Sequence, residues 1–269
     1  MDAVRIGRWL FATLAALVAA SAGAGSGSGA QQNPYLPIAA ARLRSALPAA
    51  DGGDTVEVAR FAMQQHPVTN GEFLAFVRTH PEWQRDRAPA AFVDADYLSH
   101  WQAPLALGDG IEARQPVTRV SWFAAAAYCE AQQARLPRWT EWELAAAASE
   151  QQRDARADPA WRQRMLDWYA KPASGALSRV GQTPANVYGL QDLHGLVWEW
   201  TEDAGSLMLG DDSGQNKADL GKFCGAGALT FKDRDNYAVM MRIALLSSLA
   251  ARDTTRTLGF RCVRHGSQP

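Results

Sequence analysis

Asp192 and Glu199 place two carboxylates seven residues apart in Gly189-Leu190-Gln191-Asp192-Leu193-His194-Gly195-Leu196-Val197-Trp198-Glu199-Trp200-Thr201. Gly195 allows the backbone to turn between them, so that main-chain carbonyls can point into the same space. Hard oxygen donors without sulfur suit a calcium ion. The competing reading is a core strand carrying an exposed Glu. In an extended segment Trp198 and Trp200 share one face, and Val197 and Glu199 the other.

The soft donors are few. Cys129, Cys224 and Cys262 are the three cysteines of the chain. Cys224, in Phe223-Cys224-Gly225-Ala226-Gly227, has the chemistry of a reactive thiol, a single soft-metal ligand or an intermolecular bridge, or of a small buried apolar residue. The five histidines, His66, His80, His100, His194 and His265, show neither H-x-x-x-H nor H-E-x-x-H spacing. No G-x-S-x-G, phosphate-binding loop or dinucleotide fingerprint occurs.

The elements that must position these groups are short. Val56, Val58, Phe61 and Met63 predict an interrupted strand ending at His66-Pro67. Thr69-Asn70-Gly71-Glu72 reads as a capping box opening a helix through Phe73, Leu74, Phe76 and Val77. Ser121 is placed to cap an Ala-rich helix ending near Gln133, and Thr140 with Glu143 a later one. Asp158-Pro159 starts a helix with Trp161, Met165, Trp168 and Tyr169 on one face. A short helical pattern covers Ala39 to Leu47. Residues 81–115 and 205–221 read as loops, the first keeping several aromatics.

Four separated blocks carry a resemblance. They are Asn186 to Thr201; Pro116-Val117-Thr118-Arg119-Val120-Ser121-Trp122 with Arg135-Leu136-Pro137 and Glu141-Trp142-Glu143; Gly225-Ala226-Gly227; and Leu258-Gly259-Phe260-Arg261-Cys262. Together they resemble the formylglycine-generating, or sulfatase-modifying-factor, family over roughly residues 55–264. The resemblance implies an α+β fold, a single irregular domain of the C-type-lectin-like kind around a small twisted antiparallel sheet. It also implies a structural calcium site at Asp192, Gly195, Val197 and Glu199, and a disulfide between Cys129 and Cys262. Leu196 departs from the family's usual Asn.

Formylglycine-generating members hold copper(I) between two cysteines five positions apart, because soft thiolates select a soft monovalent ion. The matching places fall near Asp233 and Ala238, and Lys232 to Arg261 contains no cysteine. A copper site is therefore not expected. The cysteine-poor ending resembles the NirV-like members that accompany copper nitrite reductases. Three functions follow as expectations: an accessory or maturation protein for a periplasmic client, a cysteine-independent oxidoreductase acting on a small molecule or peptide, or a ligand-binding module.

Length and composition bound the rest. A chain of 269 residues that is 47% hydrophobic buries one sizeable core. The formal charge of -1 leaves no basic stripe for nucleic acid. Arg5 and Arg8, the apolar run from Trp9 to Ala20 and the small residues Ser28-Gly29-Ala30 read as a cleavable export signal, too short to span a bilayer. The expected organisation is a signal peptide at 1–30, a lead-in at 31–54, the domain at 55–264 and a tail at 265–269. The mature chain is expected in an oxidising compartment, a bacterial periplasm or the medium, with no membrane span.

Overall fold

The computed structural model of the protein describes residues 33–47, 53–170, 175–206 and 237–266. The proposed signal peptide, Cys224 and the Gly225-Ala226-Gly227 stretch lie outside them, as does nearly all of the 205–221 loop. Among the described residues no helix is long and apolar enough to cross a membrane.

The architecture is α+β with little regular sheet. Strands β1 (Tyr35–Ile38), β4 (Phe61–Gln64) and β7 (Val263–His265) form an antiparallel sheet in the order β1-β4-β7. β2 (Ala41–Arg44) pairs antiparallel with β3 (Thr55–Val58), and the two-residue β5 (Trp198–Glu199) pairs parallel with β6 (Leu258–Gly259). The helices are α1 (Asn70–Thr79), α2 (Trp122–Ala131), α3 (Trp139–Ala146), α4 (Pro159–Tyr169) and α5 (Tyr237–Ser247).

Local sequence chemistry explains most element ends. Thr69 accepts from the Glu72 N–H while the Glu72 carboxylate accepts from the Thr69 N–H, at 3.2 and 2.7 Å, which closes the capping box of α1. Ser121 caps α2 and Asp158 caps α4, with Pro159 in the first turn. The expected strand from Val56 to Met63 is interrupted as its pattern implied: Ala59 and Arg60 separate β3 from β4.

Two expectations are corrected. The helical pattern at Ala39 to Leu47 is occupied by β2 because register places Leu43 opposite Val56 and buries it in the core, and strand pairing overrides the local preference. The segment before residue 55 thus supplies two strands. Thr140 does not cap a helix: α3 begins at Trp139, and Glu141 accepts from the Arg138 N–H at 2.8 Å. Glu143 instead lies buried, accepting from Ser45, Ala46 and the Trp139 indole at 2.7–2.9 Å, and burial raises its pKa.

The core is aromatic. Tyr128 of α2 packs between Phe76 and Phe260 with centroids 5.4 Å from each, and Phe73 stacks on Tyr128 at 5.9 Å. Cys129 and Cys262 are disulfide-bonded with Cα atoms 5.6 Å apart, joining α2 to the strand end beside β4 and β7. Gly259 lets β6 pass close to Val117, since a Cβ there would lie 2.6 Å from the Val117 carbonyl oxygen.

Candidate functional site

The Asp192 to Glu199 segment folds across the interior, and its two carboxylates meet different partners. Glu199 and Arg261 are both fully buried and paired at 2.8 Å. Arg261 Nε also donates to Glu199 Oε1 and Oε2 at 3.1 and 3.0 Å, and the Trp142 indole donates to Oε2 at 2.9 Å. The remaining Arg261 N–H groups reach the carbonyls of Gln64, Gln65 and Gln191 at 3.1, 3.2 and 2.9 Å. A second buried cation, Arg242 of α5, lies 3.5 Å above the Trp142 ring and donates to the Glu199 carbonyl. Burial lowers the Arg242 pKa to about 10.

Asp192 adopts φ +59°, a left-handed conformation that Asp tolerates better than most residues. Its carboxylate accepts from the Gly181 and Thr183 N–H groups and from the Thr183 hydroxyl. Gly195 is left-handed at φ +92°, as its place in the turn requires. Val197 is buried, and Gly195 faces Trp168.

A carboxylate offers about four lone-pair sites, and Arg261 with Trp142 engages those of Glu199. The positive charge beside Glu199 is a guanidinium. As placed, Glu199 has no lone-pair site left over for a cation. The alternative of an exposed Glu is also overturned, because the segment's Glu199 face is buried as deeply as its Trp200 face.

On the other side of β5 lies a cavity of about 590 Å³. Its aromatic wall is built by α4 and β5: Trp168 and Tyr169 meet Trp198 at centroid distances of 5.4 and 5.2 Å. The Asp158 cap and Pro159 fix the start of α4, while the bend at Gly195 brings the chain under the Trp168 ring. The polar wall comes from the Gln115 to Arg119 segment and from Arg256 and Thr257. No carboxylate is among the described lining residues, whereas Arg119 and Arg256 both are.

Arg119 is held in a left-handed backbone conformation, φ +53°, which is uncommon away from glycine. Two main-chain hydrogen bonds of 2.9 Å fix it there: its N–H donates to the Thr255 carbonyl, and its carbonyl accepts from the Leu98 N–H. Its guanidinium donates to the Ser99 hydroxyl at 2.8 Å and lies 3.3 Å from the Asp96 carboxylate, which is 67% exposed. His100 also lines the cavity, with both ring nitrogens buried and without a hydrogen-bond partner. Burial, with smaller repulsions from Arg119 and Arg85, pushes its pKa down to about 4. The neutral ring thus sits in a positive field. The arrangement can stack a flat group on indole and hold a negative charge against guanidinium.

The sequence residues singled out for chemistry divide between these regions. Glu199 and Asp192 belong to the interior; Gly195, and Trp198 beside Glu199, reach the cavity; Cys129 and Cys262 are structural. Arg119, His100 and Arg256 went unrecognised. Arg119 carried one usable signal, a cation flanked by Val117-Thr118 and Val120-Ser121 just before a helix cap, but nothing local indicates its φ value.

A family model described as "Sulfatase-modifying factor enzyme 1-like domain" matches residues 38–266. The chain is 32% identical over 185 residues to the inactive C-alpha-formylglycine-generating enzyme 2 of Mus musculus, covering 54% of this chain and 59% of that relative. It is therefore aligned with less than two thirds of the mouse protein. It is 30% identical over 249 residues to the formylglycine-generating enzyme of Streptomyces coelicolor, covering 77% of this chain and 79% of the relative. Among solved structures, PvdO from Pseudomonas aeruginosa aligns with a TM-score of 0.47 at 17% identity, covering 86% of this chain and 94% of that one.

Proposed function

Because the chain belongs to the sulfatase-modifying-factor family, we propose that it is an exported accessory or maturation protein for a periplasmic enzyme, a copper-dependent or nitrite-reducing one, and does not generate formylglycine. The cavity beside β5 is its recognition site. The observation that carries this reading is the cysteine inventory. Three cysteines are present and Cys129 is bonded to Cys262, which leaves Cys224 as a single thiol. A bis-thiolate copper(I) centre needs two thiolates. Similarity to a relative named as inactive supports the same direction.

In this reading the family's scaffold is kept and its oxidative centre is not. Trp168 and Trp198 supply stacking area, Thr118 and Thr257 hydroxyls supply hydrogen bonds, and Arg119 and Arg256 supply charge. Co-producing the full-length chain with a periplasmic copper nitrite reductase tests the accessory role. The expected result is a higher copper-loaded fraction of the reductase than without the chain, and an Arg119→Gly variant should lose that gain. An unchanged loaded fraction overturns the role.

A further inference from the structure

Two backbone contacts set the main-chain geometry at the cavity's polar end. The Arg119 N–H bonds to the Thr255 carbonyl, and the Trp198 N–H bonds to the Thr257 carbonyl at 2.8 Å. Arg256 lies between those two carbonyl-bearing residues, so its position is fixed with Arg119 on one side and Trp198 on the other. Arg119, Arg256 and Trp198 all line the cavity. No carboxylate lines it among the described residues; Arg119 pairs with Asp96, which lies largely in solvent. Such an exposed pair holds a guanidinium weakly, about 0–1 kcal/mol, so it yields to a better-placed anion.

From this we propose that the cavity binds a small organic carboxylate with a flat apolar body, the charged group held by Arg119 and Arg256 and the flat body stacked on Trp168 and Trp198. The inference deepens the reading of the cavity as the recognition site and depends on it only for location. A guanidinium presents a planar fork of N–H donors that matches a carboxylate in two parallel hydrogen bonds. A cavity of about 590 Å³ is the size of those that enclose ligands of a few rings. The left-handed backbone at Arg119 is maintained by tertiary hydrogen bonds, and strain retained in this way concentrates at binding sites. His100 adds a neutral residue to the lining beside them.

The test uses full-length protein with 2-naphthoate and its uncharged isostere 2-naphthamide, read by quenching of tryptophan fluorescence and by calorimetry. We expect the carboxylate to bind at least about 10-fold more tightly than the amide, a difference of about 1.4 kcal/mol. Arg119→Gly removes the guanidinium and suits φ +53°, so its melting temperature should not fall; its carboxylate preference should drop below about 3-fold. Arg256→Gln, at an exposed position, should weaken the preference and serves if the first variant misfolds. Equal affinity for both probes, no binding of either, or a preference unchanged in both variants overturns the assignment. If the preference fails while copper loading of the co-produced reductase still rises, the anion assignment falls alone. If it holds while loading is unchanged, the accessory role falls and the anion site stands.

Discussion

Replacing Arg261 by methionine isolates the electrostatics of the interior. Arg261 and Glu199 are both at 0% exposure, and Arg261 gives three contacts of 2.8–3.1 Å to the carboxylate and three more to main-chain carbonyls. Removing the guanidinium leaves a buried carboxylate with the Trp142 indole as its donor and uncovers three carbonyl oxygens. Breaking one side of such a pair costs about 3–5 kcal/mol. For a domain of this size that corresponds to a fall in melting temperature of roughly 6–20 °C. Removing both charges, as Glu199→Leu with Arg261→Met, should cost less than the sum of the single variants, with a coupling of about 2 kcal/mol. Urea unfolding with linear extrapolation measures all four proteins, each with and without a calcium chelator. The chelator should leave the wild-type midpoint unchanged. If Arg261→Met cost under about 1 kcal/mol and the chelator lowered the wild-type midpoint, a bound cation and not Arg261 would balance Glu199, and the reasoning would be refuted.

Two further outcomes are expected. Reducing the Cys129–Cys262 bond should lower stability by up to about 5 kcal/mol, the chain-entropy value for its 133-residue separation, and non-reducing peptide mapping should recover the linked pair; two freely alkylated cysteines would contradict it. His194, whose ring is held to the Ala146 carbonyl and whose pKa burial lowers to about 4, takes up a proton in the unfolded chain before the folded one. Its contribution is therefore complete above pH 6.5 and is lost as pH falls toward 4, by about 1.4 kcal/mol per unit. His100 behaves alike, so His194→Gln should remove about half of the histidine-dependent slope of urea midpoint against pH, and an unchanged slope would show that the ring is not buried neutral.

Much of the scaffold was legible in the sequence because its signals are local. Thr69 with Glu72, Ser121, and Asp158 with Pro159 each act within one helical turn, and each helix starts where those residues place it. The Ala39 to Leu47 stretch carries a helical pattern yet supplies β2, because its fate depends on pairing with Val56 and its neighbours in β3, which lie beyond any local window. The site was less legible for the same reason. Glu199 was recognisable as a special carboxylate, but its partner Arg261 is 62 residues away, and the choice between a cation and a guanidinium is made by tertiary closure. Arg119 gains its conformation from Leu98 and Thr255, and His100 its field from Arg119 and Arg85, so neither carries a motif of its own.

The most direct measurement of the central claim is a conversion assay. Full-length protein loaded with copper(I) is incubated under oxygen with a cysteine-containing sulfatase-type peptide, and the peptide is read by mass spectrometry for the aldehyde product. The account predicts an unchanged cysteine with the wild-type protein and with Cys224→Ser alike, since one remaining thiolate does not make the two-thiolate copper site. Formation of formylglycine would contradict it, and loss of that product in Cys224→Ser would place the chemistry at the thiol left outside the disulfide.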